Sequence, residues 1–187
     1  MFKKFAVAGA IALGMAGSAS AATVRPILLD EIIDTAAIAF HGTCVANRVE
    51  LDAATGFIVT YSTFEVSDVL KGQVPRTHVI KQIGGVLPDG RSGMIVHGVP
   101  KFAVGEEYVL FMAGVSPLGF SSPVGLTQGR FSIEAGRQGK AVASGADFRE
   151  LTARMPDTSI PATGKPVRQL GLAEFKAMTR ARSGLHE

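Results

Sequence analysis

The clearest pattern of apolar and polar positions lies in residues 57–111. It opens with Phe57-Ile58-Val59-Thr60-Tyr61-Ser62-Thr63-Phe64-Glu65-Val66, a run rich in β-branched and aromatic residues. The run ends at Val69-Leu70-Lys71-Gly72, where glycine stops the extended pattern. A second such run, Gly105-Glu106-Glu107-Tyr108-Val109-Leu110-Phe111, closes the stretch. In the first run Ile58, Phe64 and Val66 share one face and Phe57, Val59 and Tyr61 the other, which predicts a strand covered on both sides in its first half.

Other segments extend the same pattern. Residues 36–49 read as a preceding strand, with Gly42 marking a bulge or sharp bend. The turn signal Asp52-Ala53-Ala54-Thr55-Gly56 joins that strand to the next as an antiparallel hairpin. A third strand is predicted over 78–83. A fourth, over 106–112, is the most apolar and is placed at the centre. Residues 125–133 and 140–143 form a final hairpin about a turn at 134–139.

Between the strands, 84–100 and 113–124 are crowded with Gly, Pro and Ser and read as long surface loops, a kind of segment that often carries function. Two helices flank the sheet. Leu28, Leu29, Ile32 and Ile33 fall at helical spacing within 26–35, and Leu172, Phe175 and Met178 give the last segment an apolar stripe. Lys176, Arg180 and Arg182 lie toward the end of that helix, where cations complement its dipole. Phe148, Leu151 and Met155 permit a short helix before a linker marked by Pro156, Pro161 and Pro166. The expected fold is therefore mainly β: a small antiparallel OB-like β-barrel with a short N-terminal helix and a C-terminal helix.

Residues 1–21 change the picture of compartment. Lys3 and Lys4 precede an apolar core over 5–16, and Ala19-Ser20-Ala21 fits the small-x-small cleavage rule, so a secretory signal peptide cleaved after Ala21 is expected. That core is shorter than the ~20 residues a spanning helix needs, and no later stretch is long and apolar enough to span. The predicted organisation is 1–21 signal peptide, 22–155 barrel domain, and 156–187 linker plus C-terminal amphipathic helix, in a periplasmic or secreted protein. Removing Lys3 and Lys4 lowers the formal charge from +3 to +1, and no dense Lys/Arg stripe supports nucleic-acid binding. The positive mean hydropathy is likewise raised by the leader.

Candidate chemistry is sparse. The sequence holds no His-Glu-x-x-His, Cys-x-x-Cys, phosphate-binding glycine loop or Gly-x-Ser-x-Gly elbow. Gly114-Val115-Ser116-Pro117-Leu118 imitates the elbow but puts proline where a backbone N–H must donate. Cys44 is the single cysteine; its first reading is a small buried hydrophobe, its second a reactive or intermolecular thiol that requires exposure. His41 and Cys44 sit three apart, and on a regular strand such residues point to opposite faces unless a bulge at Gly42 brings them together. His97, with Asp89, Glu106 and Glu107 nearby, matches no ligand frame, and Lys71 and Arg76 read as surface turn residues. No catalytic residue, cofactor or metal site is predicted.

The strand ending in Leu70-Lys71-Gly72, the following strand and loop, and then Gly105-Glu106-Glu107-Tyr108-Val109-Leu110-Phe111 together resemble the OB-fold barrel of netrin-like domains and tissue inhibitors of metalloproteinases. The arrangement is also similar to that of exported bacterial proteins of unknown role. The resemblance covers about 36–133 and implies Leu70, Lys71, Gly72, Gly105, Glu106 and Tyr108 as family-like structural positions. In the inhibitor family an N-terminal cysteine chelates the protease's zinc. Here the expected mature chain starts Ala22-Thr23-Val24 without one, so that mode of protease inhibition lacks its residue. The function expected is that of an exported, non-enzymatic module that binds a protein partner through long loops. The alternatives are an extracytoplasmic enzyme using Cys44 or a loop histidine, and a structural envelope component.

Overall fold

The computed structural model describes residues 25–155, 160 and 165–184. The expected signal peptide, its cleavage after Ala21, the new terminus at Ala22, Pro156 and Pro161 lie outside the described residues. The chain begins with α1 (Leu29–Thr35) and enters two 14-residue strands, β1 (Ile38–Leu51) and β2 (Ile58–Lys71). These pair antiparallel across the turn at 52–56, where Gly56 takes a positive φ and its N–H donates to Asp52 O at 2.7 Å. The ladder shifts register between His41 and Gly42, as the glycine implied. A Cβ at Gly42 would lie 2.7 Å from the Glu65 carbonyl oxygen, closer than real Cβ contacts come, so glycine is what lets β1 and β2 stay paired there.

The chain continues through β3 (Thr77–Ile83), the short ribbon β4 (Gly85–Val86) and β5 (Gly93–Met94), and β6 (Glu107–Met112). It ends with β7 (Arg130–Gly136), β8 (Gly139–Ala143), α2 (Phe148–Leu151), β9 (Gln169–Gly171) and α3 (Leu172–Ser183). Seven strands form one antiparallel sheet in the order β3-β2-β1-β6-β7-β8-β9, with β6 in the middle, where the apolar run at 106–112 was expected. The order is linear, so β3 and β9 are edges. Segment 121–123 reaches both sides of the first half of the sheet: Ser121 N–H donates to Lys81 O of β3 at 3.0 Å, and Ala113 N–H, just past β6, donates to Ser122 O at 2.9 Å. One short segment spans the two only because β3-β2-β1-β6 curls.

Alternation along β6 divides the core in two. Val109 and Phe111 face α1, α2 and α3, where Phe131, Phe148 and Phe175 meet them. Ring centroids in that cluster lie 5.0 Å apart for Phe131 and Phe175 and 5.7 Å apart for Phe111 and Phe131. Tyr108, Leu110 and Met112 face the inside of the curl with Phe40, Cys44, Phe64, Ile80 and Phe102. Edge-to-face packing of Phe64 on Phe102 at 5.0 Å fills that interior.

Three expectations are corrected. The strand expected over 125–133 starts only at Arg130, because 125–129 are turns in which both Gly125 and Leu126 take φ 60°. The loop at 84–100 is not structureless: Leu87 N–H donates to Ser92 O at 2.8 Å beside the β4–β5 ribbon. After the linker, three residues form β9 on β8 before α3 begins, an element without a sequence signal of its own.

Candidate functional site

Leu70, Lys71, Gly72, Gly105, Glu106 and Tyr108, the positions implied by the resemblance, fall in and beside β2 and β6. Leu70 is fully buried in the helix-side core. Lys71, read from sequence as a surface turn residue, instead donates from Nζ to the carbonyls of Ile33 at 2.6 Å and Asp34 at 3.0 Å. Those are orphan acceptors in the last turn of α1, so the cation caps the helix end and complements its dipole. Gly72 follows at φ 70°, and a Cβ there would stand 2.9 Å from Ala37 O. Gly105 also has a positive φ, Glu106 is exposed, and Tyr108 is buried with its hydroxyl accepting from Ala103 N–H at 3.0 Å.

Cys44 is fully buried in the curled interior. Burial pushes its thiol up, against a weaker opposing pull from the Ala46 backbone. The reactive or intermolecular thiol is therefore corrected: a nucleophile must be a thiolate and a disulfide needs access, and this sulfur has neither. The bulge at Gly42 does not bring His41 to it. His41 lies on the helix side of the sheet, where its Nε2 is 3.0 Å from Glu107 Oε2. Burial, then the charge of Lys176, hold its imidazole below the ordinary range despite the pull of Glu107. The ring is thus neutral with its proton on Nε2, donating to an ionised carboxylate, and buried Nδ1 has no partner.

Around this histidine the charges are tied into the fold. Glu107 also pairs with Lys140, and Asp68 takes Lys176 at 2.9 Å and Arg180 at 2.6 Å. Arg182 pairs with Asp34 near the end of α1. The cations expected to complement the dipole of α3 therefore also fasten that helix to β2 and α1. His97 is exposed. Among the described residues no group of three or more His, Cys, Asp and Glu side chains could hold a metal ion. No helix among them is long and apolar enough to cross a membrane.

Both long loops are tied to the β3 end of the sheet, the first directly following β3 and the second held by Lys81. Lys81 of β3 donates to Leu118 O at 3.1 Å and sits 4.7 Å from the Phe120 ring, which anchors 113–124. Its ammonium also pairs with Asp52 at 2.9 Å. The first loop reaches Leu126 just beyond the second, since a Cβ at Gly98 would stand 3.0 Å from Leu126 Cδ1. Large apolar side chains stand in solvent on both loops: Val86 and Ile95 on the first, Val115 and Leu118 on the second, with Ile95 76% exposed and Val115 67% exposed.

Two clefts lie among the described residues, one of them away from these loops. One, of about 580 Å³, is lined by Ile27, Gln128, Arg130, Ser132, Ser144 and Glu150, among others. The Arg130 guanidinium donates from Nη1 to Lys101 O at 2.9 Å, while its buried Nε has no partner. The other, of about 300 Å³, lies between the inner face of β1-β2-β3 and the 84–102 segment. Gln82 and Ser62, which line it, were not singled out by sequence reasoning. The signal was present, because Gln82 shares strand parity with the core residue Ile80. Compared with protein-family models, with curated proteins and with solved structures, the chain has no match.

Proposed function

We propose that this chain is an exported, non-enzymatic binding module that engages an extracytoplasmic protein partner through the loops 84–100 and 113–124. The observation that carries the reading is the set of solvent-exposed apolar side chains on those loops, Val86, Ile95, Val115 and Leu118. Both loops are anchored to the sheet, the second at Lys81 and the first at Gly84, which bonds Ile58 and Thr60 of β2, so the apolar groups are presented from a built support. Exposed apolar groups on supported loops are what a protein interface buries. Export rests on the leader pattern of 1–21. An OB-like description of the scaffold draws support from the curl of β3-β2-β1-β6 and from segment 121–123, which bonds toward both ends of it.

The test is affinity capture from envelope extract with the mature chain and with an Ile95→Ser, Leu118→Ser double variant of unchanged circular dichroism. The expected result is a defined partner retained by the first and lost by the second. Recovery of no partner, or of the same partner by both, contradicts the reading.

A further inference from the structure

The smaller cleft carries a ligand argument independent of the protein-binding reading. Its walls are apolar, among them Val49, Ile83, Met94, Val96, Val99 and Phe102, and its volume of about 300 Å³ is that of a small-molecule site. At its base, on adjacent strands, lie Ser62, 1% exposed, and Gln82, 3% exposed. Two neighbouring polar side chains are already engaged: Thr60 donates to Gly84 O at 2.6 Å and Asn47 donates to Phe102 O at 2.7 Å. Gln82 Nε2 is different, since it is buried and has no acceptor. A primary amide left unpaired in an apolar setting carries a desolvation cost that a bound acceptor removes.

The charge pattern narrows the ligand further. No carboxylate lines the cleft, and its one charged lining residue, Lys101, is exposed. A ligand carboxylate seated against the base would be desolvated with no cation beside it, which is unfavourable, whereas a neutral carbonyl oxygen needs only the N–H that Gln82 offers. We propose that the cleft beneath the 84–102 segment binds a small, predominantly apolar molecule carrying an uncharged carbonyl, with that oxygen accepting from Gln82 Nε2 and the hydrocarbon portion against Val49, Met94, Val96 and Phe102.

The probes are γ-decalactone, decanoate and butylcyclohexane, titrated into the isotopically labelled mature chain and followed by amide spectra. The expected result is saturable binding of the lactone, with shifts of the Gln82 side-chain amide pair and of the Gly84, Gly85 and Phe102 backbone amides. Gln82→Leu keeps the volume and removes the donor. It should weaken the lactone about tenfold, the scale of one hydrogen bond in a dry site, and leave butylcyclohexane unchanged. Equal lactone affinity in the variant, shifts confined to other regions, or no binding at the solubility limit would overturn the proposal. So would decanoate binding more tightly than the lactone, which would assign recognition to Lys101. If the variant does not fold, the wild-type Gln82 amide pair decides alone: unmoved by saturating lactone, it refutes the assignment.

Discussion

At the scale of single residues, orientation decides what each polar or reactive group can do. Cys44 illustrates this, because strand parity sends it into the curled interior and sends His41 to the helices. The thiol is expected to resist an aromatic disulfide reagent in the folded protein and to react fully once unfolded in urea; stoichiometric reaction with native protein would contradict its burial. Parity was legible in the sequence, and so was the bulge at Gly42. The cap that Lys71 places on α1 was not, since it joins residues 37 or more apart and only the fold brings them together. The role of Gln82 was half legible: its inward direction followed from Ile80, but the absence of a partner for its amide depends on where 84–102 lies.

At the scale of elements, the sheet was read more completely than its coverings. Continuous or alternating apolar runs announce β1, β2, β3 and β6 because those strands bury side chains directly. The β4–β5 strands have two residues each with no buried side chain, and β9 has three with only Leu170 buried, so they are too short to show a period. The α3 stripe was legible through Phe175, which meets Phe111, Phe131 and Phe148 around the helix-side core. Phe175→Ala is therefore expected to destabilise the fold by about 3–5 kcal/mol, the usual range for emptying a buried aromatic site, as measured by urea denaturation. A loss below 1 kcal/mol would mean that α3 is not an integral cover of the sheet.

For the whole molecule, the imidazoles of buried His41 and half-buried His78, together with the paired carboxylates, set the response to acid. His41 and His78 are both held below the ordinary histidine value, the first by burial and Lys176, the second by burial alone. The unfolded chain therefore binds protons that the native chain refuses. Stability from these two groups is fully present above about pH 6.5 and is lost as pH falls below that value. A second loss follows at lower pH. Asp147 is lowered to about 2, chiefly by Arg149, and Asp52 is lowered by Thr55 and Lys81. Asp68 is also lowered, burial opposing but Lys176 and Arg180 prevailing. Carboxylates with depressed values stabilise the fold above their unfolded range near 4, and that contribution disappears as pH falls toward 2. Thermal midpoints measured from pH 8 to pH 2 should fall in two stages, and replacing His41 and His78 by Gln should remove the upper one. A single stage in the unaltered protein would contradict the assignment.

The central claim, recognition through two supported loops, is tested most directly by placing a photoreactive benzophenone amino acid at Ile95 or Leu118 and irradiating intact cells that export the protein. The expected result is one discrete adduct, shared by both positions and absent when the photoreactive group replaces the exposed Arg137 in the β7–β8 turn, with β7 four strands from β3 in the sheet. No adduct at either loop position, in cells where the leader has been removed and the protein is folded, would contradict the claim.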